Sequence, residues 1–172
     1  MRLRDVIIHR LEARADPERA AAQQRYMKSE MPCHGVAMPV MRKLAVTAFA
    51  EFPFDERAEW EAAVLDLWRN ATHREQRHVA VELARHRPYR RWLDAAALRM
   101  IEEMIVTGAW WDFVDTLAAN HVATILAADT AAVRPILWEW ATDDLEREGG
   151  MWRRRTAIPV QLKAKDHTDL AL

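Results

Sequence analysis

The chain has few of the residues that break helices and no pair of cysteines. Its 172 residues include 4 glycines, 7 prolines and a single cysteine. Scarce glycine and proline, combined with stretches rich in alanine, leucine, glutamate and arginine, favour helix over strand. Because Cys33 stands alone, no intramolecular disulfide can form, and a reducing compartment is expected.

Long apolar runs and an apolar leader are also absent. The chain starts Met-Arg-Leu-Arg-Asp, which lacks the hydrophobic core of a signal peptide. No uninterrupted apolar stretch is long enough to span a bilayer. These absences predict a cytoplasmic protein that has no membrane partner.

The chain also lacks an excess of charge of one sign, since its formal net charge is -1. A broad electrostatic attraction for nucleic acid is therefore excluded. Basic residues are nevertheless segregated, because the segment from Trp152 to Lys165 contains five of them and no acidic residue. Such a segment can hold a phosphate backbone on one face of a neutral protein.

Helical periodicity is present along almost the whole chain. Leu3, Ile7 and Leu11 mark a first amphipathic helix, and Asp16 is a predicted N-cap for a second. Thr72 and Glu75 have the spacing of a capping box. Further along, Gly149-Gly150 is expected to break the chain, and Pro159 to kink a helix that extends from about 151 to 165.

Short helices joined by short loops, each apolar on one face, predict an all-α fold. The expected architecture is a set of stacked antiparallel helix pairs that form a curved HEAT-like repeat solenoid. Residues 1–172 are expected to form one domain. Thr168-Asp169-Leu170 resembles a helix start but is followed by only two residues, so the last helices of the solenoid are expected to be missing.

One stretch combines aromatic and acidic residues at helical spacing. Trp111 and Asp115 are four residues apart, so an indole and a carboxylate share one face of a helix. Trp110 and Val114 share a neighbouring face and are predicted core residues. The alternative is that both indoles are buried and that Asp112 and Asp115 are ordinary cap or surface groups, which is the commoner arrangement when spacing alone is considered.

A second stretch contains three consecutive arginines, Arg153 to Arg155. On a helix these side chains point in three directions, so at most one or two can contact phosphates. The alternative is a solvated helix end. No metal or cofactor is predicted, because the seven histidines lack metal-ligand spacing and neither a Walker A motif nor a dinucleotide glycine motif occurs.

Taken together, these stretches resemble the DNA alkylation-repair family typified by AlkD. The resemblance covers nearly all of the chain, and its most specific blocks are the tryptophan pair and the arginine–threonine segment. The matching residues, in family order, are Tyr26-Met27-Lys28, Gly35-Val36, Pro39, Arg42, Arg74-Glu75-Gln76, Trp110-Trp111-Asp112, Val114-Asp115, Arg154-Arg155-Thr156-Ala157-Ile158, Gln161-Leu162, Lys165 and Thr168-Asp169.

The resemblance implies a DNA glycosylase that hydrolyses the N-glycosidic bond of N3- and N7-alkylated purines in duplex DNA. Its fold would present a concave basic surface, and the complete protein would be a monomer. Asp115 would be the catalytic carboxylate, and Trp111 would lie beside the sugar of the lesion. Arg155 would hold a backbone phosphate, and the other expected DNA-binding residues are Arg154, Tyr26, Lys28 and Arg42.

Three features depart from the family pattern. Met41 replaces a basic residue before Arg42, which is expected to weaken a DNA contact. Cys33-His34 replaces an aromatic-containing loop. A further tryptophan that faces the lesion in the family has no counterpart here. The alternative function is therefore a non-catalytic helical-repeat module that binds nucleic acid or protein, and it is favoured if Asp115 and Trp111 point into the core.

Overall fold

The computed structural model describes residues 2–169, which consist of helices and the turns that join them. This part of the chain contains no β-strand, so the predicted all-α fold of stacked helix pairs is confirmed. None of its helices is long and apolar enough to cross a membrane. The chain divides into two compact units, Met1–His86 and Arg87–Leu172, which are described in turn.

The first unit contains five α-helices, and four of them (all but the second) contribute buried residues to a core that includes Trp60, Trp68 and Phe49. The helix α1 packs on α3, and α4 and α5 pack on each other. The capping prediction for Asp16 is confirmed, since its carboxylate accepts a hydrogen bond from the Arg19 amide at 3.0 Å. The helices are α1 (Leu3–Glu12), α2 (Pro17–Met27), α3 (Met38–Glu51), α4 (Arg57–Arg69) and α5 (Arg74–Ala84).

The helix α2 is attached to its unit mainly through its ends, because none of its residues is buried. At its start, the Asp16 amide donates to the His34 carbonyl at 2.9 Å. Gly35 has a φ of 82°, and a Cβ atom there would lie 2.1 Å from the Asp16 carbonyl oxygen. Only glycine fits both the left-handed backbone and this close approach.

The predicted capping box of Thr72 and Glu75 is wrong. The helix α5 begins at Arg74 with His73 as its N-cap, so Thr72 lies one residue too early to cap it. The buried Glu75 carboxylate instead accepts three backbone hydrogen bonds, from His34 and Gly35 at 2.9 Å and from Val36 at 3.1 Å. Glu75 therefore joins α5 to the loop that follows α2.

A stacked pair of imidazoles lies where this loop meets the start of α5. The rings of His34 and His73 are 3.8 Å apart, and the Gln76 amide nitrogen lies 3.2 Å from His34 Nε2. Burial lowers the pKa of His34, and His73 lowers it further, against the opposing effects of Glu75 and Glu12. The unfolded chain therefore binds the proton more readily than the folded chain.

We expect the free energy of unfolding to be highest above the unfolded-state histidine pKa and to fall as the pH drops below about 6.5. Urea denaturation over a pH series measures this decline. His34→Gln should make the decline shallower, whereas the same change at the exposed His9 should not. Equal pH dependence in the wild type and both variants would contradict the assignment to His34.

The second unit begins with two 3₁₀ turns and continues with five α-helices and a π-helical segment. Before α6, Asp94 caps a 3₁₀ turn by accepting hydrogen bonds from the Ala96 and Ala97 amides. The elements are the turns Arg87–Trp92 and Ala95–Ala97, then α6 (Leu98–Gly108), α7 (Trp111–Thr116), the π segment (Leu117–Val122), α8 (Ala123–Ala128), α9 (Thr130–Ala141) and α10 (Gly150–Ala157).

The π segment joins α7 and α8 into one continuous helix. Buried and accessible residues alternate in pairs along it, with a repeat of four residues from 111 to 124. An α-helix has 3.6 residues per turn, so a repeat of four would drift around its axis. The wider π turn absorbs part of this drift and keeps one face of residues 111–124 accessible.

The predicted break at Gly149-Gly150 is confirmed. Gly149 has a φ of 75°, and a Cβ atom on Gly150 would lie 1.9 Å from the Asp144 carbonyl oxygen. Pro159 does more than kink the following helix, since α10 ends at Ala157 and a 3₁₀ turn, Pro159–Gln161, replaces it. A second turn, Lys165–His167, follows, and Thr168 and Asp169 are not helical; Leu170 lies outside the described residues.

Candidate active site

Trp111 and Asp115 lie on the accessible face of the helix that begins with α7. Trp111 is 40% exposed, and the Asp115 side chain is 41% exposed. The alternative in which both indoles are buried is therefore wrong for Trp111. Val114 is fully buried, as predicted, and Trp110 is partly buried, with an indole N–H that has no hydrogen-bond partner in the described part of the chain.

The three consecutive arginines on α10 have three different environments, as their helical spacing predicts. Arg153 is largely buried and donates to Glu102 at 2.6 Å and to Asp143 at 3.3 Å. Arg154 is exposed and makes no ion pair with any described residue. Arg155 pairs with Asp115. Arg153 thus attaches α10 to α6, while the other two guanidinium groups lie at the surface.

The Asp115–Arg155 contact is bidentate and joins the two residues with the most specific expected roles. Arg155 Nε donates to Asp115 Oδ1 at 2.7 Å, and Nη2 donates to Oδ2 at 2.8 Å. The hydrogen bond to Asp115 is the main cause that raises the pKa of Arg155. Because both carboxylate oxygens are engaged, the plane of the Asp115 carboxylate is fixed at the surface beside Trp111.

The predicted DNA-binding residues Tyr26 and Lys28 lie at the carboxyl end of α2, in the first unit. Tyr26 is 75% exposed, and Lys28 is exposed in a left-handed conformation with a φ of 49°. The side chain of Gln24 donates to the Ser29 carbonyl, and Arg74 donates to the Ser29 hydroxyl at 2.8 Å. This end of α2 is therefore held against α5.

Arg42 is half-exposed and pairs with an acidic residue. Its Nε donates to Glu82 at 2.8 Å, and Arg85 donates to the same carboxylate at 2.7 Å. Burial alone would raise the pKa of Glu82, but the hydrogen bonds from the two arginines hold it below its usual value. Met41, the residue before Arg42, is fully buried in the core of the first unit.

Two polar arrangements in the structure could not be predicted from the sequence. One is the Glu75 carboxylate that holds the backbone of residues 34–36, and the other is a hydrogen bond of 2.6 Å from Lys163 to Asn120. Neither pair has a recognisable spacing, because its members are 39 or more residues apart. Residues 2–169 contain no group of three or more histidine, cysteine or acidic side chains placed to hold a metal ion.

The part of the chain that the structure describes is helical and presents a carboxylate–arginine pair beside an accessible tryptophan. The family model described as DNA alkylation repair enzyme matches residues 7–172, and the chain belongs to this family. Membership supports an enzymatic role in the repair of DNA. No curated protein matches the chain.

The fold is similar to that of a solved protein from Enterococcus faecalis that is described as a predicted DNA alkylation repair enzyme. The two sequences are 23% identical, and the match covers 91% of this chain and 70% of the other. The TM-score is 0.72. At this level of identity the similarity establishes the shared fold.

Proposed function

We propose that the protein is a DNA glycosylase that hydrolyses the N-glycosidic bond of N3- and N7-alkylated purines in duplex DNA. The observation that carries the proposal is the accessible Asp115 carboxylate, fixed by Arg155 beside Trp111. Family membership supports the same class of substrate.

The chemistry of alkylated purines suits this small set of groups. Alkylation at N3 or N7 makes the purine cationic, so the base departs without prior protonation by the enzyme. As the bond from C1′ to the base nitrogen breaks, positive charge develops on the sugar, and a nearby carboxylate stabilises it. Water then adds to C1′ and loses a proton, which leaves an abasic site and a neutral alkylpurine.

Trp111 contributes attraction rather than proton transfer. The face of an indole carries negative electrostatic potential, so it favours a cationic base or an oxocarbenium-like sugar placed against it. With 40% of its surface exposed, Trp111 can be covered by a nucleotide. An apolar ring also excludes water on one side of the sugar, which strengthens the interaction between Asp115 and the developing charge.

Arg155 can contact a phosphate while it still holds Asp115. A guanidinium has five N–H donors, and the pair with Asp115 uses only one on Nε and one on Nη2. The donors on Nη1 and the second donor on Nη2 stay available. Arg155 would then link the DNA backbone to the carboxylate, so that a bound strand brings its sugar to the catalytic group.

The test is the release of N7-methylguanine from methylated duplex DNA, measured by chromatography of the free base and by cleavage of the abasic sites in alkali. We expect catalytic amounts of the protein to release the base from methylated duplex and not from unmethylated duplex. A protein that binds duplex DNA without releasing base would instead be a non-catalytic helical module.

A further inference from the structure

A second basic side chain, Lys163, contacts the helix that carries Asp115 and is not part of the proposed catalytic group. The accessible face of residues 111–124 includes Trp111, Asp115 and Asn120. The π segment places Asn120 there, because in a regular α-helix it would lie about 140° around the axis from Asp115. Asn120 accepts a hydrogen bond from Lys163 Nζ at 2.6 Å.

The orientation of Asn120 is fixed by the backbone of its own helix. Its Nδ2 donates to the Thr116 carbonyl at 2.9 Å, so Oδ1 is the atom left to receive the ammonium. The hydroxyl of Thr124 donates to the backbone carbonyl of Asn120 at 2.6 Å. Asn120 therefore holds Lys163 through a neutral oxygen and leaves its positive charge uncompensated.

Lys163 differs from Arg153 and Arg155 because no carboxylate among the described residues pairs with it, and from the equally unpaired Arg154 because a hydrogen bond to Asn120 fixes its position. Arg153 pairs with Glu102 and Asp143, and Arg155 pairs with Asp115. No carboxylate among residues 2–169 pairs with Lys163, and its side chain is exposed. A positioned, exposed cation without a counter-charge favours an anion from outside the protein.

The loop that carries Lys163 is closed on itself. The side chain of Gln161 accepts from the Asp169 amide at 2.6 Å and donates to the Asp169 carbonyl at 3.0 Å. The Asp169 carboxylate pairs with Arg134 on α9. The preceding turn, Pro159–Gln161, packs against the π segment. Lys163 is therefore held in place by contacts on both sides of it.

From this geometry we propose that Lys163 and Asn120 form a second phosphate-binding subsite for the sugar-phosphate backbone of the bound DNA strand, with Asn120 about one helical turn after Asp115. The inference rests on the proposed function, since it takes duplex DNA as the ligand. Arg155 and Lys163 would hold neighbouring phosphates of one strand and so align the sugar between them with Asp115. Lysine suits such a contact because it binds phosphate as a point charge from any direction.

The experiment measures the affinity for a fluorescein-labelled duplex without a lesion over a series of potassium chloride concentrations. Each phosphate contact contributes about 0.9 to the slope of log affinity against log salt. Lys163→Gln should make the slope shallower by about this amount, and Lys163→Arg should restore it. Asn120→Asp should also make the slope shallower, because a carboxylate would neutralise Lys163 while the lysine stays present.

Arg147→Gln is the matched control, since it removes one positive charge from the same unit, but a charge already paired with Asp143. Its slope should equal that of the wild type.

If the wild type binds DNA and Lys163→Gln keeps its slope, the subsite is refuted. If the wild type binds with the expected slopes but releases no alkylated base, the glycosylase proposal fails and the subsite stands. If it binds no DNA, both proposals are refuted.

Discussion

Asp115→Asn is expected to lower the single-turnover rate of N7-methylguanine release by roughly a hundred- to a thousand-fold. Asparagine keeps the size of the side chain and one acceptor for Arg155, but it removes the negative charge. The positive charge that develops on the sugar then loses its nearest counter-charge. Single-turnover release from methylated duplex, with protein in excess, measures this step directly.

The same variant should fold normally and bind DNA at least as well as the wild type. The Asp115–Arg155 pair is more than one-third exposed at each side chain, and such pairs contribute about 0–1 kcal/mol to stability. Phosphate contacts dominate affinity, and Arg155 would be freed from its carboxylate. A loss of rate without a loss of binding therefore separates a catalytic role from a structural one.

Asp112→Asn is the matched control, because it makes the same chemical change three residues earlier on α7. Asp112 lies in the first turn of the helix, where its charge contributes at most about 1 kcal/mol through the helix dipole. Its rate should stay close to that of the wild type. Equal rates in both variants, with folding intact, would remove Asp115 from the mechanism.

The sequence alone predicts which side chains of the proposed catalytic group share a helix face, because helical spacing is a local property. Four-residue spacing places Trp111 and Asp115 on one helix face, and consecutive positions place Arg153 to Arg155 on three sides of α10. Their partners cannot be read from spacing. The contact between Asp115 and Arg155 joins residues 40 positions apart, and only the packing of α10 near α7 brings them together.

The π segment shows a second limit of periodicity arguments. At about 100° per residue, Asn120 lies far from Asp115 and gives no signal of a shared face. The π turn changes the angle between these two residues around the helix axis. Nothing in the composition of Leu117–Val122 indicates that a π turn forms there. With the π turn between them, both α7 and α8 contribute buried residues to the core.

The capping-box error at Thr72 and Glu75 has a similar origin. The spacing satisfies the local rule, but a buried carboxylate with three backbone donors is stabilised more than one that caps its own helix. The donors come from residues 34–36, which the sequence places in an irregular loop. Pattern rules describe one element at a time, so they miss an acid whose partners lie in another.

Glu75→Ala is expected to lower the free energy of unfolding by about 3 kcal/mol or more, which is a large part of the stability of a small domain. The substitution leaves the amides of His34, Gly35 and Val36 without their acceptor, and each buried unsatisfied donor costs roughly 1–3 kcal/mol. Glu75→Gln should have a smaller effect, since one oxygen remains.

Urea denaturation measures the loss of stability, and amide hydrogen exchange shows where it occurs. Glu61→Ala is the control, because it removes a partly exposed glutamate that pairs with Arg57 within α4. This contact is expected to contribute less than about 1 kcal/mol to stability. In Glu75→Ala the amides of residues 34–36 should exchange faster than in Glu61→Ala. Equal stability and equal exchange in the two variants would show that the Glu75 carboxylate does not hold the loop.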